Sequence, residues 1–276
     1  VEDLKSQGRL PKIAMFGGSV FLFPHPVKEL SDFLKSHDMH INYDVAHVAG
    51  LIAGGEFQDP LREGTDTMTM STHKTLFGPQ GGLVLGFDRH EESIKKAMFP
   101  GLTSSHHIHH MAGKAVAFAE ALEFGKDYAS QTINNAKALA SELNNVGFKV
   151  LGEKRGYTES HQTVVNVLDY GDGGTIEADL EKANIIVNRQ LIPGDLKANR
   201  HYMHPGGIRL GTSEITRIGM KEAEMKEIAS MIKDIVIDNK DPSHMTDKVA
   251  EFRKEFQKTH YCFDNKLGAY EYVKLR

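Results

Sequence analysis

Cysteine is almost absent from this sequence of 276 residues, which contains only Cys262. A single thiol cannot close an intrachain disulfide, and it cannot form a thiolate cage around a metal ion. The class of proteins that depend on disulfides in an oxidising compartment is therefore excluded. We expect a cytoplasmic protein, because a reducing compartment is where a chain without disulfides is ordinarily found.

The sequence also lacks a long apolar run and an excess of positive charge. It has no stretch of about 18 consecutive apolar residues, and its first residues, VEDLKSQGRLPK, lack the charged-then-apolar order of a signal peptide. The 33 lysines and arginines are outnumbered by 37 aspartates and glutamates, which gives a net charge of −4. We therefore expect a soluble protein with no membrane partner and no nucleic-acid partner.

The composition is otherwise that of a globular protein, with 40% hydrophobic and 25% charged residues. A chain of this length can bury a sizeable core, and one compact domain with a smaller one fits the length. Short apolar segments bounded by glycine or polar turns predict strands at residues 13–16, 40–44, 66–70 and 83–87. A helix predicted from Val27 separates the first two. This alternation predicts an α/β fold with a mostly parallel sheet.

The pattern changes from about Met111 onward. An alanine-rich apolar stripe over residues 112–122 predicts a long helix that connects two domains. Apolar spacing then predicts strands at 148–151 and 163–168, and helices at 133–143, 175–183, 225–235 and 245–256. We therefore predict a domain of residues 1–125 and a small α+β domain of residues 126–276.

Two segments, residues 41–55 and 69–82, contain the most informative residues. Asp44 and Lys74 follow predicted strands, and residues just past the carboxyl ends of parallel strands face the ligand crevice of an open α/β sheet. A lysine and a carboxylate are the two groups that pyridoxal phosphate (PLP) requires: an amine for the Schiff base and an anion facing the protonated pyridine nitrogen. Spacing alone also permits a turn cap at Asp44 and a solvated charge at Lys74.

The residue strings at these positions are specific. Residues 44–51 read DVAHVAGL, residues 72–82 read THKTLFGPQGG, and residues 207–212 read GIRLGT. These strings, with the Phe-Pro-Gly turn in residues 97–101, closely resemble serine hydroxymethyltransferases, a family of fold-type-I PLP-dependent enzymes. The resemblance extends from about residue 11 to about residue 240.

The resemblance implies a role for each matching residue. Lys74 would form the Schiff base with PLP, and Asp44 would face the pyridine nitrogen. His47 would lie beside the phenolic oxygen of the cofactor and the substrate amine. Arg209 would bind the carboxylate of the amino-acid substrate, because the planar guanidinium matches a carboxylate with two hydrogen bonds.

Three further residues are assigned by the same resemblance. His73 would contact the cofactor or its phosphate and is a further candidate catalytic residue, although a histidine that satisfies the loop backbone fits nearly as well. Ser71 lies where fold-type-I enzymes often direct a hydroxyl toward the phosphate. Ser19 matches a family serine near the cofactor ring, and a turn-capping role would also explain it.

The family also implies a fold, a reaction and partners. The fold would be that of aspartate aminotransferase, with residues 1–125 as the C-terminal part of the PLP-binding large domain and its interdomain helix, and residues 126–276 as the small domain. The reaction would interconvert serine and glycine, with transfer of the one-carbon unit to tetrahydrofolate or a related pterin. A homodimer is expected.

Phe77 and Gln80 stand where the family commonly has arginines, and two further departures bear on the site. Ser104 and Ser105 stand where the family has glycines that approach the phosphate held by a neighbouring subunit, and side chains there restrict a close backbone approach. The family also has about half of its large domain before the position that matches Val1, so we expect that part to be truncated, cleaved or a separate N-terminal segment. A PLP-dependent aldolase or hydroxymethyltransferase acting on another β-hydroxy or α-substituted amino acid, and a non-catalytic fragment, therefore stay open.

Four neighbouring histidines invite comparison with a metal site: His106, His107, His109 and His110. Some pairs have helical spacing, but no carboxylate lies beside them in the sequence. We expect no metal ion here, and we interpret the segment as a partly buried start of a helix near a subunit interface.

Overall fold

A computed structural model of the chain describes residues 1–264, 266 and 268–270. The chain divides into two compact units, Val1–Lys126 and Asp127–Arg276. Within the described ranges, no helix is both long enough and apolar enough to cross a membrane.

A four-stranded sheet forms the centre of the first unit. Its strands are β1 Ile13–Gly17, β2 His40–Asp44, β3 Thr67–Ser71 and β4 Gly82–Gly86, in the order β1-β2-β3-β4. The first three strands are parallel, and β4 is antiparallel to β3. The carboxyl ends of β2 and β3 therefore lie at the same edge of the sheet, which confirms the mostly parallel arrangement predicted from the sequence.

Short helices connect these strands. They are α1 Glu2–Ser6, α2 Val27–Ser36, α3 Ala49–Ala53, α4 Pro60–Glu63 and α5 Glu91–Lys96, with a 3₁₀ turn at Asp88–His90. A π-type segment, Ala97–Leu102, continues from α5 and contains a cis peptide bond between Phe99 and Pro100. Local sequence explains α4, because the Asp59 side chain accepts a hydrogen bond from the Arg62 amide and proline occupies the first helical position.

A single helix, α6 Ile108–Asn145, replaces the two helices predicted for this region. The prediction of two helices was wrong because the change from an alanine-rich to a more polar pattern was interpreted as a break. The segment has no proline, and the isolated Gly125 lowers helix stability by only about 1 kcal/mol relative to alanine. The boundary between the two compact units falls inside this helix.

An antiparallel sheet forms the centre of the second unit. Its strands are β5 Lys149–Val150, β6 Gln162–Asn166, β7 Asn188–Gln190 and β8 Gly207–Gly211, in the order β5-β6-β8-β7. Every pair in it is antiparallel. The sequence predicted β5 and β6 but neither β7 nor β8.

Helices cover this second sheet and complete its core. They are α7 Gly173–Lys182, α8 Ser213–Arg217, α9 Glu222–Val236 and α10 Thr246–Arg253, with 3₁₀ turns at Glu153–Arg155 and Pro242–Met245. One apolar cluster joins α6, the sheet, α7 and α9, and its buried members include Leu139, Leu143, Val165, Leu180, Ile208, Met225 and Ile232. The predicted α+β architecture of the C-terminal part is therefore present.

Candidate cofactor site

Thr75 connects the two informative sequence segments. Its side chain is 1% exposed, and its hydroxyl donates to the carbonyl oxygen of His47 at 2.9 Å and accepts from the amide of Gly50 at 3.0 Å. A Cβ atom at position 50 would lie 2.0 Å from the carbonyl oxygen of Thr75, so only glycine permits this approach. The turn after β2 and the loop after β3 are thus fixed against each other.

Thr72 closes the loop that contains Lys74. The amide of Thr72 donates to the carbonyl of Gly81 at 2.9 Å, and its own carbonyl accepts from the amide of Gly78 at 2.7 Å. Its buried hydroxyl donates to the carbonyl of Pro79 at 2.7 Å. Lys74 therefore lies between two buried threonines, Thr72 and Thr75, whose hydrogen bonds set the path of the backbone on both sides of it.

Lys74 is half-buried. Among the residues that the structure describes, none forms a hydrogen bond or an ion pair with its ammonium group. It is the third residue after Ser71, the last residue of β3. An amine at a strand end, without a structural partner among those residues, has the chemistry that covalent attachment of a carbonyl compound requires.

Asp44 is the last residue of β2 and lies opposite Gly17 on β1 and Thr69 on β3. One of its carboxylate oxygens accepts a hydrogen bond from the amide of Ala46 at 2.9 Å. The turn cap considered from the sequence is therefore present. It occupies one oxygen and is compatible with an additional role for the carboxylate, which can accept several hydrogen bonds.

Gly17 makes the close approach of β1 to Asp44 possible. Its φ angle is +101°, and a Cβ atom there would lie 2.1 Å from the carbonyl oxygen of Asp44. Both the left-handed conformation and the lack of space require glycine. The absence of a side chain at residue 17 therefore allows β1 to pair closely with β2 at Asp44.

An aromatic cluster packs beside these strand ends. His25 stacks on Phe21 with ring centroids 4.9 Å apart and on Tyr43 at 5.4 Å. Its Nδ1 accepts from the amide of Gly17 at 3.3 Å, and the Tyr43 hydroxyl donates to Gln58 Oε1 at 2.9 Å. Burial lowers the pKa of His25 and raises the pKa of Tyr43. The sequence patterns did not predict this cluster, although the aromatic residues following β1 were a signal for it.

The remaining candidates in the first unit have different surroundings. His47 is half-buried in the turn after β2, and Ser71 pairs with Gly82 at the end of β3. His73 is exposed, and its Nδ1 accepts from the amide of Gly81 at 3.4 Å, which is the loop-backbone role considered from the sequence. Ser19 is exposed in the turn that follows β1.

Arg209 lies in the middle of β8, opposite Asn188 on β7 and Val164 on β6. Its Nη2 donates to Asn188 Oδ1 at 3.0 Å, so Asn188 orients one side of the guanidinium. Burial lowers the pKa of the Arg209 guanidinium. Asn188 was missed by sequence reasoning because the strand that carries it was not predicted.

The histidine segment is mostly exposed, contrary to the partly buried start that the sequence led us to expect. His106, His107 and His109 are exposed and His110 is half-buried, with α6 beginning at Ile108. Over the described ranges, no group of three or more histidine, cysteine, aspartate or glutamate residues is arranged to hold a metal ion.

The groups at the edge of the first sheet fit PLP. A lysine amine and an aspartate carboxylate follow neighbouring parallel strands, and the contacts of Thr75 hold their turns together. Glycine at positions 17 and 50 removes side chains where the backbones meet. The donor set therefore matches the two requirements of the cofactor, an amine and an anion.

Comparison with solved structures defines the class. A crystal structure of L-threonine transaldolase from Pseudomonas fluorescens, in its internal aldimine state, matches with a TM-score of 0.84 at 33% identity. The match covers 96% of this chain and 60% of the transaldolase chain. The predicted fold class is confirmed: the chain has the fold of the fold-type-I PLP-dependent transferases, with part of the large domain and a smaller α+β domain.

Comparison with sequence families is more specific. The family model for serine hydroxymethyltransferase matches residues 2–232. Serine hydroxymethyltransferases from Nitrosopumilus maritimus (strain SCM1) and Korarchaeum cryptofilum (strain OPF8) are 78% identical over 276 residues and 53% identical over 263 residues. The chain belongs to the serine hydroxymethyltransferase family, which confirms the resemblance drawn from the sequence. The chain spans 63% of the length of the Nitrosopumilus relative and 60% of the length of the Korarchaeum relative. The two matches cover 100% and 95% of this chain.

Proposed function

We propose that the protein containing this chain is a PLP-dependent serine hydroxymethyltransferase. The reaction is the reversible interconversion of serine and glycine, with transfer of the one-carbon unit to tetrahydrofolate or a related pterin. The observation that carries the proposal is the contact of Thr75 with His47 and Gly50, which joins the two family strings at one edge of the sheet. Membership of the family supports the same conclusion.

The first unit supplies the cofactor residues in this proposal. When bound, PLP supplies a protonated pyridine ring that withdraws electrons from the bonds of the substrate α-carbon. Lys74 provides the amine that attaches the cofactor, and Asp44 holds the proton on the pyridine nitrogen. His47 and His73 are proposed as the further catalytic residues beside the cofactor, and the proposed hydroxyl contacts are those of Ser71 and Ser19.

The second unit supplies the carboxylate-binding residue. Arg209 is proposed to hold the α-carboxylate of serine or glycine, with its guanidinium oriented by the hydrogen bond to Asn188. Two parallel N–H donors fix the orientation of a carboxylate better than a single ammonium does. We further propose a homodimer, as expected from the family, and a cytoplasmic location, which the single cysteine supports.

A second candidate reaction is favoured by the structural comparison. The similarity to an L-threonine transaldolase supports PLP-dependent cleavage of another β-hydroxy amino acid. The two candidates differ in the acceptor of the fragment that leaves the amino acid. Glycine formation from serine that depends on a reduced pterin supports the hydroxymethyltransferase, whereas faster consumption of threonine with an aldehyde acceptor supports the transaldolase.

Attachment of the cofactor tests the site directly. We expect borohydride to fix PLP to a peptide containing residue 74 in the purified holoenzyme, and the Lys74→Ala variant to lose this adduct. Lys28→Ala is the matched control, because Lys28 is exposed on α2 and far in sequence from Lys74. Recovery of the fixed cofactor on a peptide without residue 74 would show that the assignment is wrong.

A further inference from the structure

The second unit contains a cavity of about 210 Å³ that the proposed reaction does not use. Its wall is mainly apolar and includes Leu210, Met220, Ile228, Ile232, Val249 and Phe252. Apolar cavities of roughly 150 Å³ are large enough to bind a molecule the size of benzene. This cavity therefore has room for a small branched or aromatic side chain.

Two charged side chains of opposite sign complete the wall. Glu214 and Arg253 both line the cavity. The Tyr270 hydroxyl donates a hydrogen bond to Glu214 Oε1, and the Arg253 guanidinium lies 5.1 Å from the centre of the Tyr270 ring. One tyrosine thus contacts both charged groups, which places them at the same end of the cavity.

Arg253 also contains one donor that no described residue satisfies. Its Nε is buried and has no hydrogen-bond partner in the part of the chain that the structure describes. A buried N–H of a charged group without an acceptor is unfavourable. Burial, followed by the bond to Glu214, raises the pKa of Tyr270 to about 12, so its hydroxyl stays protonated and keeps donating to Glu214 near neutral pH.

We propose that this cavity binds a small apolar α-amino acid, such as leucine. The apolar wall receives the side chain, Arg253 binds the carboxylate, and Glu214 binds the ammonium. A zwitterion fits better than a simple carboxylate or amine, because the wall presents one charge of each sign. A carboxylate alone would face the like charge of Glu214, and an amine alone would face the like charge of Arg253.

This site differs from the proposed reaction site and does not depend on it. Leu210 lines the cavity and follows Arg209 directly on β8. Side chains of consecutive strand residues point to opposite faces of a sheet, so the cavity lies on the face opposite the Arg209 side chain. Serine and glycine, which lack an apolar side chain of matching size, are not its proposed ligands.

Calorimetric titration of the purified holoenzyme tests the ligand chemistry. Three probes of similar shape are used: L-leucine, 4-methylpentanoate without the ammonium, and 3-methylbutylamine without the carboxylate. We expect saturable binding of leucine, at least about tenfold weaker binding of the other two, and no displacement of leucine by serine. Absence of leucine binding, or equal binding of all three probes, would overturn the proposal.

Variants then locate the binding site. Arg253→Met keeps an apolar stem and removes the donors, Glu214→Gln removes the negative charge, and Ile228→Phe fills the cavity from a half-buried position. Each is expected to weaken leucine binding at least about tenfold, while Glu214→Gln is expected to leave 4-methylpentanoate binding unchanged or improved.

Lys254→Met serves as the control, because Lys254 is exposed and pairs only with the exposed Glu251 among the described residues. Melting temperatures of all variants show whether each protein is folded before its binding is interpreted. Leucine binding that is unchanged in folded Arg253→Met and folded Ile228→Phe would place the ligand elsewhere and reject this cavity as the site.

Discussion

Asp44 has a structural contact and a proposed chemical role, and a substitution can separate the two. Asp44→Asn keeps an oxygen that can accept from the Ala46 amide, so the turn after β2 should persist. A neutral amide does not hold a proton on the pyridine nitrogen, so we expect kcat for serine cleavage to fall about 100-fold, which corresponds to about 2.7 kcal/mol.

The measurements are kcat and the melting temperature, with Asp32→Asn on the exposed face of α2 as the matched control. The melting temperature of both variants should stay close to that of the unmodified protein. A near-normal kcat in Asp44→Asn would reduce Asp44 to the turn cap alone.

His25 makes stability depend on pH. Burial lowers its pKa in the folded protein below the ordinary value of 6.5. The unfolded chain therefore takes up the proton first as the pH falls, and the free energy of unfolding decreases between pH 6.5 and the lower folded pKa. Protonation also removes the Nδ1 acceptor for the amide of Gly17.

A denaturant titration at several pH values measures this effect. We expect the free energy of unfolding of the unmodified protein to decline more steeply below pH 6.5 than that of His25→Gln, which keeps an acceptor and does not titrate. Parallel curves for the two proteins would show that His25 does not contribute to the acid sensitivity.

The sequence pointed to the proposed reactive groups more readily than to the residues that support them. Asp44 and Lys74 were assigned because the strings around them resemble the family. Thr75 and Gly50 lay within the same strings, yet their roles depend on a contact between two loops that are distant in sequence. Local composition does not predict which carbonyl oxygen will accept a hydrogen bond from a threonine hydroxyl.

At the level of secondary structure, the loop after β3 depends on one buried hydroxyl. Thr75→Val removes the hydrogen bonds to His47 and Gly50 and leaves a buried carbonyl and a buried amide without these partners. We expect the free energy of unfolding to fall by about 1–3 kcal/mol. Borohydride fixation of the cofactor at Lys74 should become less efficient, because the backbone beside Lys74 is less well fixed.

Thr75→Ser is the matched control, since it keeps the hydroxyl and loses only a buried methyl group. Its free energy of unfolding should lie between those of Thr75→Val and the unmodified protein, as measured by urea titration. If the valine variant is as stable as the unmodified protein, the hydroxyl does not hold the two turns together.

Elements with clear periodicity were predicted well, and polar edge elements were not. The bounds predicted for β2 are those observed, because buried Ile41 and Tyr43 alternate with half-buried neighbours. The strand β7 reads Asn-Arg-Gln and so lacks an apolar pattern, and among the described strands it pairs with β8 alone. The strand β8 begins and ends with glycine, a residue that is depleted in strands.

At the scale of the whole molecule, the candidate residues are distributed over both compact units. The proposed cofactor residues are in Val1–Lys126, and Arg209 is in Asp127–Arg276. The sequence predicted this distribution because each string was recognised by itself. The proposed chemistry assigns bond cleavage to the first set and carboxylate binding to Arg209, so kinetic constants should separate the two.

Arg209→Lys tests that separation. Lysine keeps the positive charge but loses the planar pair of donors, and it cannot keep the same geometry toward Asn188. We expect KM for serine to rise about 10-fold to 100-fold, equivalent to roughly 1.5–3 kcal/mol for a hydrogen bond to a charged group. The change in kcat should be much smaller than in Asp44→Asn, because the proposed cofactor residues are intact.

Arg155→Lys, at an exposed position, is the control and should leave both constants unchanged. An unchanged KM in Arg209→Lys would remove the main support for an α-amino acid carboxylate as the group that this residue binds.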